Sequence, residues 1–258
     1  MTGRREALAA HVVFGLFALI ALAPVVGIVA LALRQPGAFA TAWEDGGFAG
    51  YLRSSVIVTV CVVSLSSVLS ILAGYAFGIM RFRGDQVLFY AFLLGLMVPL
   101  EATIVPLYYD LRDVGLTDTY LALILPQSAL SVAFGTFWMR AFFRSVPRSL
   151  IEAARLDGSS SWMTLWRIVL PLGRPAVLTM VALVFMWTWN EFLLALVMVS
   201  DESLRTAPLG LAFFQGRNTS DEGLLAAGAL IVAAPVVLVY LFLQRHFIRG
   251  TLSGAVKG

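Results

Sequence analysis

The chain has 258 residues, 60% of them hydrophobic and only 13% charged, with a mean hydropathy of +0.89; this lies outside the soluble globular range and places the chain in a membrane. The formal net charge of +3 comes almost wholly from arginine, since Lys257 is the sole lysine, and it is read as topology and not as nucleic-acid binding. One cysteine, Cys61, read as packing inside an apolar run, and two histidines near opposite ends, His11 and His246, exclude an internal disulfide, a cysteine-rich metal centre and a locally spelled His-x-x-x-His site.

A bilayer crossing needs about 20 apolar residues, and the run 11–33 is long enough after a short basic N-terminus. Ala21-Leu22-Ala23 resembles a cleavage signal, but the run continues through Pro24, so it is read as a retained span. Residues 35–53, with Pro36, Gly46, Gly47 and Gly50, predict a loop whose Trp43 and Tyr51 suit a membrane interface. The second span, 54–80, carries serines and Gly74-x-x-x-Gly78, a spacing that lets helix backbones approach closely, either at a translocation interface or in ordinary bundle packing. A third span covers 87–109, interrupted by Pro99, Glu101 and Pro106; a fourth covers 119–139, with Pro126 as an expected kink. A fifth covers 175–200 and contains Asn190-Glu191, a polar-bounded loop follows over 201–222, and a sixth span covers 223–244. The expectation is an all-α polytopic membrane protein, one transmembrane domain over 1–258 with six transmembrane helices.

Between spans four and five lies 148–174, the one long stretch that is neither lipid-like nor a turn. Ser149-x-x-Glu152 fits a capping box, Ala153 and Ala154 are small, and Gly158 is placed to end the helix in a left-handed conformation. A second helix is expected from Ser160 or Ser161 to Leu170, interrupted by Pro171. From the residues alone, the first of these helices is either a packing element on the bilayer surface or a docking element. Loops rich in Arg and Lys stay cytoplasmic. In a six-span arrangement thirteen such residues, among them Arg81, Arg83, Arg140, Arg144, Arg148, Arg155, Arg167 and Arg174, fall on one side and only Arg34, Arg53, Arg112, Arg205 and Arg217 on the other. Both termini and the 148–174 loop are therefore expected in the cytoplasm, where ATP is.

Glu152-Ala153-Ala154, Asp157-Gly158, and Ile168-x-Leu170-Pro171, with Trp162, Leu172 and Pro175, resemble the EAA loop of binding-protein-dependent ABC importer permeases, in their carbohydrate-uptake, maltose-type branch. Pro99-x-Glu101, Trp189-Asn190-Glu191-Phe192, Leu209-Gly210-Leu211, Phe214-Gln215-Gly216 and the C-terminal Gly254–Gly258 extend the resemblance over roughly 50–258. Arg53-Ser54-Ser55 departs from it, because many relatives have an Asn-Ser pair there. The resemblance implies that Glu152, Ala153, Ala154, Asp157 and Gly158 form a cytoplasmic coupling helix docking on a separate ATPase, in a bacterial inner membrane. It implies a second, non-identical permease, two ATPase subunits, an extracytoplasmic solute-binding protein and a sugar-class solute as partners.

No Gly-x-x-x-x-Gly-Lys-Ser/Thr loop is present, so this chain is expected to be no enzyme and to bind no cofactor, with ATP and Mg on the partner. Glu101 and Glu191 are costly in lipid; with Trp187 and Asn190 they are candidates for the solute path, or Glu191 for a structural pairing. In a rival reading, an ion-gradient-driven transporter, the same two acids would couple the ion. Leu209, Leu211, Phe213, Phe214 and Gln215 are candidates for contact with the solute-binding protein, the other reading being a loop folded onto the bilayer. A third reading, an intramembrane hydrolase, finds neither Gly-x-Ser-x-Gly nor His-Glu-x-x-His.

Overall fold

In lipid a backbone must satisfy its own hydrogen bonds, which leaves helices or closed barrels as the spanning structures. The computed structural model describes residues 3–218 and 221–255, and among them every regular element is helical. Helix α1 covers Arg4–Arg34, α2 Ala38–Asp45, α3 Phe48–Ile79, α4 Asp85–Met97, α5 Leu100–Asp113 and α6 Tyr120–Ser145. The short α7, Arg148–Leu156, follows; α8, Ser161–Met163, runs through a widened π turn, Thr164–Val169, into α9, Leu170–Leu172. Then come α10, Arg174–Trp189, α11, Leu193–Met198, α12, Ala207–Arg217, and α13, Glu222–Ala255. The C-terminal residues 256–258, part of the Gly254–Gly258 match, lie outside the described residues.

Four described stretches are long and apolar enough to cross a bilayer: Leu8–Arg34, Phe48–Ile79, Tyr120–Ser145 and Glu222–Phe242. Two sharply bent pairs join them in apolar length, α4 with α5 at 95°, and Ser161–Leu172 with α10 at 81°. The chain is a multi-pass membrane protein. The first bend has a local cause. Proline disfavours the helical region for the residue before it and donates no N–H; Val98 is extended (φ −83°, ψ 115°) and Pro99 starts α5. The second bend differs from the expectation, because Pro171 stays inside helix α9 and the break comes at Gly173. The preceding π turn accommodates Pro171, since its wider hydrogen-bond ring relaxes the turn into which a proline would otherwise clash.

The chain divides into two compact units, residues 1–49 with 210–234, and residues 50–209 with 235–258. In the first, Ala38, Ala42 and Phe48 are buried, and the Phe48 ring meets Phe214 edge-on at 5.1 Å. The Gln35 side-chain amide donates to the Asp221 carboxylate at 2.9 Å. Most apolar side chains of α1, such as Phe14, Phe17 and Ile20, are exposed, as suits a lipid-facing helix.

The second unit holds the main core, where Val58, Val62, Tyr75, Leu123, Met139, Phe143, Val169, Met180 and Leu194 are buried together. Here α3 and α6 run parallel, with Gly74 beside Met139 and Gly78 beside Phe143. A Cβ on either glycine would stand 2.6 to 2.7 Å from the neighbouring Cβ, so the Gly74-x-x-x-Gly78 spacing packs α3 on α6 of the same chain. Three expectations are corrected here. Cys61 is exposed on α3 instead of packed. The stretch 35–53 is not a loop but contains α2 and the start of α3. Tyr51 is buried and donates to Glu202 at 2.8 Å, so it is no interfacial anchor.

Candidate functional site

The helix expected at the centre of the cytoplasmic loop is α7, but it begins differently. Pro147, with φ −58° and ψ 131°, is its N-cap, and its carbonyl accepts from Leu150 N–H at 3.1 Å. Proline at this boundary has its φ already set for a helix start. Ser149 and Glu152 therefore lie within the helix, and the capping box read there does not form. The other end is as the residues imply. Gly158 is left-handed (φ 78°), its N–H bonds the Arg155 carbonyl at 3.0 Å, and Ser159 N–H bonds Ala154 at 2.9 Å. These two crossed bonds satisfy the last carbonyls of the helix in a Schellman motif.

Ile151 and Ala154 are buried against the chain's own core. Glu152, Ala153, Asp157 and Gly158 are exposed. A Cβ at Gly158 would meet no heavy atom within 4 Å, so the space beside it is open. Leu156 is 89% exposed; grouped by hydrophobicity with Leu150 and Ile151, it proves to point away from them. At about 100° per residue it lies opposite the face that Ile151 and Ala154 bury, a signal already in the spacing. Trp162 and Trp166 are also exposed, their rings 5.5 Å apart, after a start capped by the Ser160 hydroxyl accepting from Met163 N–H.

The solute-path candidates lie at two helix breaks. Glu101 is exposed in the first turn of α5. Trp187 is 51% exposed, with its ring 4.6 Å from that of Phe134. Asn190 closes α10, its side-chain amide donating to Met186 O at 2.7 Å. Glu191 lies two residues before α11, next to its N-cap Phe192, its carboxylate accepting from Leu194 N–H at 2.9 Å and Ala195 N–H at 3.2 Å. The expected span 175–200 is thus two helices with a polar joint, and α11 packs on α5 and α6. Glu191 satisfies N–H groups that the broken helix frees, while the Asn190 amide doubles the bond that Asn190 N–H already makes to Met186 O at 3.2 Å.

The segment expected as a loop over 201–222 carries helix α12, and its apolar residues divide. Leu209 and Phe214 are buried within the chain, Leu211 is half-buried, and Phe213 and Gln215 are exposed. Among the described residues no group of three or more His, Cys, Asp or Glu could hold a metal. Outside the spans, the Asp201 carboxyl lies below its ordinary range because Ser203 N–H donates to it. Asp221 is lowered by the Gln35 amide and then by Leu224 N–H.

Residues 66–252 match the family described as binding-protein-dependent transport system inner membrane component. The probable ABC transporter permease protein YurM of Bacillus subtilis (strain 168) is 39% identical over 224 residues, covering 87% of this chain and 74% of that protein. The trehalose transport system permease protein SugB of Mycobacterium tuberculosis (strain CDC 1551 / Oshkosh) is 34% identical over 213 residues, covering 82% and 78%. In fold, the chain is similar at a TM-score of 0.79 and 24% identity to one in the crystal structure of a bacterial ABC transporter involved in the import of the acidic polysaccharide alginate, with 96% of this chain and 99% of that chain covered. The chain belongs to the inner-membrane components of binding-protein-dependent transport systems, as an ABC importer permease.

Proposed function

We propose that this permease spans the membrane six times, with both termini in the cytoplasm, and forms half of the path by which a sugar or related oligosaccharide is imported. The observation that carries the coupling role is α7: a short helix anchored by Ile151 and Ala154, ended at Gly158, and presenting Glu152, Ala153, Leu156 and Asp157 outward with open space at its tip. Such a helix can enter a cleft on a cytoplasmic ATPase without disturbing its own packing. The partner hydrolyses ATP with its Mg ion, and closure of the ATPase pair moves α7. A second, non-identical permease completes the path, and an external binding protein delivers the solute.

The parallel course of α3 and α6 supports six spans, because two parallel helices need an odd number of crossings between them, and the bent pair α4 and α5 makes one. The arginine bias supports a cytoplasmic α7. The trehalose named for a 34% identical relative supports a sugar as solute. The ion-coupled alternative is weakened by Glu191, whose oxygens are engaged by the backbone of α11.

Reconstitution with the second permease, the ATPases and the binding protein, followed by a panel of sugars, tests this. ATPase stimulation by a loaded binding protein is the expected result. Uptake that persists without any ATPase but collapses with the proton or sodium gradient overturns it.

A further inference from the structure

The corner between the helical stretch Ser161–Leu172 and α10 holds a cavity of about 330 Å³, lined by Trp166, Leu170, Pro171, Arg174, Val177 and Leu178. The two helices meet there at 81°, and α6 fixes the corner. Trp138 Nε1–H donates to Ala176 O at 2.9 Å, and a Cβ on Gly173 would stand 2.5 Å from the Phe142 ring. With α10 crossing the bilayer, the stretch before it runs nearly along the membrane surface. Its Trp162 and Trp166 rings are exposed, as suits indoles at headgroup depth. Val177 and Leu178, at the start of α10, carry the cavity wall toward the hydrocarbon. Charge here has one sign. Residues 159–189 contain no Asp or Glu, and Arg167 and Arg174 are their only charged side chains. Arg174 is exposed at the first position of α10 and forms no ion pair among the described residues.

We propose that this corner binds one anionic phospholipid, with an acyl chain against Leu170, Pro171, Val177 and Leu178 and the phosphate held by Arg174. An apolar wall beside an unpaired guanidinium complements the two parts of such a lipid, its tail and its charged head. The arginine stem can follow the apolar wall while its planar head meets a phosphate with two parallel N–H donors. Anionic lipids of the cytoplasmic leaflet are the ones that basic pockets on that side attract, so the assignment rests on the cytoplasmic placement of 148–174 in the importer reading.

The test uses the assembled importer in phosphatidylethanolamine vesicles doped with phosphatidylglycerol or phosphatidylcholine, each carrying the same photoreactive acyl chain, and reads the lipid attached to residues 166–178. Phosphatidylglycerol is expected to label this segment about fivefold more than phosphatidylcholine, the gain that one arginine near a membrane surface brings. Arg174→Gln should remove that preference, and Arg174→Lys should retain most of it. Arg167→Gln, at an exposed arginine outside the cavity lining, should leave it within about twofold. Leu178→Trp, which fills the cavity, should lower labelling by both lipids, and unchanged labelling in that variant overturns the proposal. Equal labelling by the two lipids in the wild type also overturns it, as does a preference that survives Arg174→Gln. An Arg167→Gln effect as large as that of Arg174→Gln overturns it too, because it marks a diffuse basic surface. Loss of labelling in excess inorganic phosphate would replace the lipid by a soluble anion, and no labelling by either lipid would assign the corner to a partner subunit. Labelling needs neither ATP nor solute, so a complex that keeps the preference but imports nothing refutes the importer reading and supports the lipid site.

Discussion

At Gly158 backbone and function meet in one residue. A side chain there must adopt φ 78°, which costs an L residue about 1–2 kcal/mol, yet a Cβ would meet nothing in its own chain. Gly158→Leu should therefore insert at wild-type levels while losing solute-stimulated ATPase activity, because its bulk lies where the partner cleft would close; wild-type transport in this variant would return α7 to a bilayer-surface packing role. Asp221 offers a separate test in the first unit. Its carboxyl is depressed in the folded chain, so its contribution to stability is present above the unfolded value of about 3.9 and is lost as pH falls through the lower folded value. The thermal midpoint of Asp221→Asn should lie below wild type at pH 7, and the gap should close as pH falls below about 4; a gap that stays constant into acid would show that the charge adds nothing.

Among the elements, α11 depends most on a single side chain. Its first turn leaves N–H groups that a broken span in lipid cannot leave unpaired, and Glu191 accepts two of them. Losing a helix-capping group of this kind costs about 0.5–2 kcal/mol. Glu191→Ala should lower the thermal midpoint of the solubilised complex, and Glu191→Gln, which retains one acceptor oxygen, should lower it less. An alanine variant as stable as wild type but dead in transport would assign the carboxylate to the solute path. The bend of 95° at Pro99 belongs to this scale too: proline dictates a break, but its angle depends on what the two halves pack against, α4 on α6 and α5 on α11.

For the whole molecule, the crossing number is the property with most consequence. In a Cys61→Ala background, a single cysteine at Ser159 should react with an impermeant thiol reagent only in inside-out vesicles. One at Gln215 should react only in right-side-out vesicles. Both positions are partly or fully exposed in the structure. Labelling of both from the same side would remove the six-span topology, and with it the placement of α7 beside the ATPase.

Much of this was legible in the residues, because lipid forces local satisfaction of the backbone. Apolar runs of spanning length become helices, Gly158 ends one, and Pro99 breaks another. The pattern around Glu152 and Gly158 carries the family resemblance in the residues themselves. What the residues did not disclose was set by partners distant in the chain. Ser54 bonds Tyr120, 66 residues on, and Asp118 bonds Ser200, 82 residues on. Leu209 and Phe214 are apolar enough for a docking surface or an interior, and only packing sends them inward. Glu191 reads equally as a solute ligand or a structural pairing, and the break at Asn190 lets its carboxylate accept from Leu194 and Ala195 N–H, a local role the spacing did not suggest. Local hydrogen bonding and hydropathy determined the long spanning helices and the break at Pro99; tertiary packing decided how sharply the chain bends there, which faces are buried and which distant polar side chains are joined.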